Sequence, residues 1–67
     1  MDKQAEADKL YDEFIVEETD VIEEAREYID DVEELADALF DRFMNLTCID
    51  DEEVQNLVYE HIYAGLS

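Results

Sequence analysis

Apolar side chains recur every seven residues in three adjacent lines along most of the chain. One line runs Ala7, Phe14, Val21, Tyr28 and Leu35. A second runs Tyr11, Ala25, Val32, Leu39 and Leu46, with Glu18 interrupting it, and a third runs Ile15, Ile22, Ile29, Ala36 and Phe43. Three positions in seven is the width of a helix face packed on a bundle core, wider than the seam of a two-stranded coiled coil. Neither Gly nor Pro falls between residues 2 and 46. The pattern admits one continuous helix of about 45 residues, roughly 65 Å long at 1.5 Å per residue. It also admits two helices parted near Glu18-Thr19-Asp20, where Asp20 and Glu23 have the spacing of a capping box. The break is the expected arrangement, because so long a lone helix is unusual in a 67-residue chain.

The segment from Asn45 to Ile49 ends the pattern. Asp50 is the expected N-cap of a last helix, with Glu53 as its reciprocal partner. Val54, Leu57, Val58, His61 and Ile62 supply a buried face at helical spacing, and Gly65 is the expected stop. No stretch alternates as a strand would. The expected fold class is all-α: two long helices plus a short C-terminal helix, with breaks near 18-20 and 46-49, in a single helical domain over 1-67. A chain of this length buries only about 60% of its unfolded surface. Assembly as a homodimeric helical bundle is therefore expected.

Of the aromatics, Phe14, Tyr28 and Phe43 lie on the stripe and are expected in the core. Phe40, Tyr59 and Tyr63 fall off it; they are expected to close the dimer, the alternative being apolar anchors for a partner.

Charge changes the picture more than hydropathy does. Asp and Glu number 22 against 4 Lys and Arg, for a formal net charge of -18. Nucleic acid and anionic membrane surfaces would repel such a chain, so direct binding to either is excluded. A hydrophobic fraction of 48% argues against an acidic disordered tail. One Cys rules out an internal disulfide framework. No apolar run approaches the roughly 18 residues that span a bilayer, and the polar start, Met1-Asp2-Lys3-Gln4, carries no secretory signal pattern. An intracellular protein acting on something basic is expected.

The carboxylates share the helical register. Glu6, Glu13, Asp20, Glu27, Glu34 and Asp41 recur every seven residues, and Glu23, Asp30 and Asp37 form a line beside them. Merged over residues 20 to 41, these lines place one carboxylate about every 5 Å of helix axis. Glu17, Glu24, Asp31 and Glu33 thicken the band, and Arg26 is the only basic side chain between residues 17 and 41. Like charges at these spacings weaken a helix by a few tenths of a kcal/mol per pair, and ordinary surface helices interleave the two signs. Duplex DNA carries one charge per about 1.7 Å of axis. One such helix falls short of that density, whereas two side by side approach it. The expected partner-binding set is Glu13, Asp20, Glu23, Glu24, Glu27, Asp30, Asp31, Glu34, Asp37 and Asp41. A solvated acidic face with no partner is the plainer alternative.

In size, charge, helicity and this carboxylate stripe over residues 6 to 41, the chain resembles the small acidic phage-type DNA-mimic proteins. These include Ocr-like anti-restriction proteins, acidic anti-CRISPR proteins and, nearest in character, the phage inhibitor of the nucleoid protein HU. The resemblance rests on no residue-specific motif. It implies a homodimer whose acidic face fills the DNA-binding surface of a basic host protein, HU first among them, in the cytoplasm of an infected bacterium. A regulatory helical dimer of antitoxin or chaperone type, binding through apolar grooves, is the competing reading.

Enzymatic chemistry is not expected. Ser67 is the only serine, and Cys48 and His61 occur once each and are expected as packing residues. No Gly-rich loop offers a phosphate cradle, and the lone serine argues against an acyl carrier protein. Asp50-Asp51-Glu52-Glu53 lacks the spacing and central Gly of an EF-hand loop. No metal or cofactor is expected. Asn45-Leu46-Thr47 matches the glycosylation pattern by chance.

Overall fold

Four helices, rather than three, carry the fold. A computed structural model describes residues 2–66, and among these every regular element is helical: α1 (Lys3–Glu17), α2 (Thr19–Tyr28), α3 (Val32–Thr47) and α4 (Glu52–Leu66). The expected breaks near 18-20 and 46-49 are present, and a third falls at 29–31. The last helix has 15 residues, as many as α1, so it is not short. The two long helices expected ahead of it are three.

Each break has a local cause. At the first, the Thr19 hydroxyl donates back to the carbonyl of Ile15 (2.7 Å), a bond that bends a helix, and Glu18 leaves helical geometry. Asp20 does not cap here: it lies in the first turn of α2, whose N-cap Glu18 makes no side-chain cap bond. At the second, the Asp31 carboxylate accepts the Glu33 N–H (2.9 Å) and starts α3. Losing that acceptor costs about 1 kcal/mol. Asp31→Ala is therefore expected to lower the melting temperature by about 4–8 °C, while Asp31→Asn, which keeps the cap and drops the charge, does not. Equal melting temperatures for the two variants by circular dichroism would remove the cap from this account.

At the third break, Cys48 closes α3 in the left-handed region (φ 51°), where a Cβ is unfavourable. Cys48 is exposed there, not packed. The cap of α4 is Asp51, one residue beyond the expected Asp50; its carboxylate accepts from Glu53 (3.0 Å) and Val54 (3.4 Å). Gly65 does not stop the helix, which continues through Leu66. A Cβ there would lie 2.5 Å from the Tyr11 hydroxyl, so the Tyr11 side chain would have to shift to admit one.

The side-chain pairings fix the packing. Lys3 reaches Asp51 and Glu53, Asp8 meets His61, and Tyr11 stacks on His61, so α1 and α4 run side by side in the same direction. Only residues 48–51 separate α3 from α4, and Asp37 and Phe40 meet Tyr59 well beyond that turn, so α3 and α4 pack as an antiparallel hairpin. Phe14 and Phe43 meet edge to face (5.6 Å) where α1 approaches α3. α1, α3 and α4 thus form a three-helix core, which α2 joins through Ile22, its only buried residue. Phe43, Val54 and Val58 fill the centre, and no described polar side chain is buried.

Tyr28 is not in this core. It ends α2, which contributes only Ile22 to the core, and is 79% exposed. Leu46, at the end of α3, is also exposed, as is Val16 on α1. Phe40 and Tyr59 pack against the core of their own chain.

Candidate acidic binding surface

The ten carboxylates of the expected set distribute over three helices and one turn. Glu13 lies on α1; Asp20, Glu23, Glu24 and Glu27 on α2; Asp30 and Asp31 in the turn; Glu34, Asp37 and Asp41 on α3. All ten are exposed. The single straight edge from residue 6 to residue 41 is not formed, because the kink at Glu18 and the turn at 29–31 divide it. What persists is a set of exposed carboxylates: one on α1, four on α2, two in the turn and three on α3.

Where the cations go is the informative geometry. Arg42 on α3 places Nε (3.1 Å) and Nη2 (3.0 Å) on the same oxygen of Glu18. Glu18 holds the stripe position that interrupted the second apolar line, and it is half-buried there. A charged residue at an apolar register position was the sequence signal for this contact. Lys3 bridges Asp51 (3.1 Å) and Glu53 (3.0 Å), clamping the start of α1 to the start of α4. Hydrogen bonds to these carboxylates hold the Lys3 ammonium above its ordinary pKa, and the bond from Lys3 holds Asp51 below the usual carboxylate range. Asp8 pairs with His61. Among the described residues Lys9 and Arg26 make no ion pair.

None of the ten exposed carboxylates is therefore ion-paired within the described residues. Two accept hydrogen bonds: Asp31 from its own helix start, and Asp37 from the Tyr59 hydroxyl (2.9 Å). That bond, with Asp37 the first cause, raises the Tyr59 phenol above its ordinary pKa. Lys3 and Arg42 join helices through carboxylates outside the set, and neither they nor Lys9 and Arg26 pair with any of the ten.

Little else offers chemistry. A cleft of about 280 Å³ opens between α2 and the C-terminal halves of α1 and α4, floored by Phe14, Ile22, Leu39 and Ile62, with Glu23 and Arg26 among its lining. It holds no nucleophile beside a base. No three His, Cys, Asp or Glu side chains converge as a metal site among the described residues, and Ser67 lies outside them. No described helix is long and apolar enough to cross a membrane.

No family profile, curated protein or solved structure matches this chain.

Proposed function

We propose that the protein is a DNA mimic: its carboxylate-covered body occupies the DNA-binding surface of a basic protein, with the bacterial nucleoid protein HU the first candidate. The supporting observation is the set of ten exposed carboxylates, none of them ion-paired among the described residues. Density supports it as well. The body is 37 Å long, close to one turn of duplex at about 34–36 Å. A net charge of -18 over that length is about one charge per 2 Å, against about 1.7 Å in duplex DNA. Bundling thus brings one chain near the density that a single helix lacks. The protein acts by binding rather than catalysis, needs no cofactor, and works in the cytoplasm of the bacterium that makes the target.

Self-association belongs to the same reading, and the exposed Val16, Tyr28 and Leu46 support it. Sedimentation at micromolar concentration is expected to give a dimer; a monomer removes this part alone.

The test is displacement. HU held on labelled duplex is expected to release it on addition of the protein at low salt. The effect weakens at least about tenfold between roughly 50 and 200 mM salt, as contacts that replace condensed counterions do. Over the same range the free protein's melting temperature rises, because salt screens its own repulsion. HU that keeps its DNA, with the anti-restriction and anti-CRISPR class of targets also unaffected, sinks the mimic reading. Binding that survives high salt points to the apolar-groove regulator instead.

A further inference from the structure

Beyond the general charge of the surface, one place on it combines aromatic rings with acid. Tyr59 and Tyr63 lie one turn apart on α4, with ring centroids 6.5 Å apart. Phe40 from α3 meets Tyr59 edge to face at 5.4 Å, and Phe40 in turn stacks on the buried Phe43 at 6.3 Å. The row thus runs from the core outward to Tyr63, which is 41% exposed. Asp37 fixes the Tyr59 hydroxyl, and Glu33, one turn before Asp37 on α3, is near enough for its charge to act on the same hydroxyl. Among the described residues no cation pairs with Glu33 or Asp37.

The geometry points to a seat for one arginine side chain of the basic partner, its guanidinium against the Tyr59–Tyr63 rings and its N–H groups directed at Asp37 and Glu33. Ring faces attract a cation through their quadrupole. A planar guanidinium can stack on a ring while its edge donates to a carboxylate, which a compact ammonium does less well. Packing of the half-buried Phe40 on Phe43, and the Tyr59–Asp37 bond, hold the seat in place before a partner arrives. Little ordering entropy is then lost on binding. In an interface otherwise made of exposed carboxylates, such an anchored aromatic corner is where truncation costs most.

The inference rests on the mimic reading for its partner, but its test separates the two. The whole protein is titrated with N-acetyl-arginine amide, and with the lysine and glutamine amides, followed by proton NMR. Arginine amide is expected to shift the Tyr59 and Tyr63 ring resonances ahead of others. Lysine amide has a weaker effect and glutamine amide none. Tyr63→Ala, at an exposed position, abolishes this preference, Tyr63→Phe keeps it, and Asp37→Asn weakens it while leaving an acceptor for Tyr59. Asp12→Asn, on α1 and outside both the seat and the ten carboxylates, leaves it unchanged. Shifts spread evenly over the acidic helices, or a Tyr63→Ala protein that responds as wild type does, overturn the seat. In the displacement assay Tyr63→Ala is expected to weaken capture about five- to tenfold, with Tyr63→Phe near wild type. Capture unchanged by Tyr63→Ala removes the seat and leaves the mimic standing. Absence of any capture removes the mimic, and the amide titration still decides the seat.

Discussion

Phe43→Ala is expected to leave a chain without a cooperative melting transition near physiological temperature. Phe43 is wholly buried and joins Phe14 from α1 to Phe40 on its own helix. Removing a buried Phe costs about 3–5 kcal/mol, the lost transfer energy plus the cavity left behind. Marginal stability of roughly 0.05–0.15 kcal/mol per residue gives a domain of this size about 3–10 kcal/mol in all. Repulsion among unpaired carboxylates places this protein toward the lower end of that range. Val58→Ala, at the same depth on α4, removes less volume and is expected to lower the melting temperature while preserving a sharp transition. Thermal and urea unfolding by circular dichroism decide the matter. A Phe43→Ala protein that melts within a few degrees of wild type would show that the three-helix core is not centred there.

Amide substitution of Glu27, Asp30, Glu34, Asp37 and Asp41 together is expected to do two things that rarely go together: abolish function and raise stability. The five changes bring the net charge from -18 to -13, and they thin the band on α2, the turn and α3. Capture of HU is expected to fall by at least about a hundredfold, since affinity built on replacing phosphate contacts scales steeply with their number. None of the five is ion-paired among the described residues, so no staple between helices is lost. Asp37→Asn retains an oxygen for the Tyr59 hydroxyl. Relief of like-charge neighbours, at a few tenths of a kcal/mol per pair, is expected to add about 1 kcal/mol in sum. That raises the melting temperature by about 4–8 °C. Retained capture would move the binding surface off these helices. A lowered melting temperature would contradict the view that these carboxylates are carried at a cost to the fold.

Helix content and most of the core were legible because the apolar spacing is helical through residue 46, with Glu18 its one interruption, and again from Val54 onward. Phe14, Ile22, Leu35, Ala36, Leu39 and Phe43 are buried on the seven-residue stripe, and Val54, Val58 and Ile62 on the separate face of the last helix. The same regularity hid the turn at 29–31. Ile22, Ile29 and Ala36 stay in line through it, so nothing in the apolar spacing marks a stop. The signal was Asp31 with Glu34 three residues on, a cap pattern of the kind read at Asp20–Glu23 and Asp50–Glu53. Of these three patterns, only the one at Asp31 caps where the spacing put it. Asp51 displaced its neighbour, and at the first break a threonine bond to Ile15 did the work instead. Cap preferences differ by a few tenths of a kcal/mol among polar residues, too little to choose between adjacent aspartates before the tertiary packing is known. As for the acidic band, its residues were legible and its shape was not. The register predicts which side chains face water but not where the chain folds back, and so it overestimated the length of one straight edge.

The parallel pairing of α1 with α4 carries a consequence for how the molecule assembles. Lys3 and Asp51 stand 48 positions apart and Asp8 and His61 stand 53 apart in a chain of 67, so the contacts that join the first helix to the last are strongly non-local. Contacts of that separation form late and slowly. The α3–α4 hairpin, closed by a short turn, is the natural early element, and docking of α1 onto it is the slow step. Both partners in that docking are negatively charged. Ionic strength should therefore act on the folding rate more strongly than on the unfolding rate, and a newly made chain would gain its shape fastest where counterions, or a cationic target, are already close by.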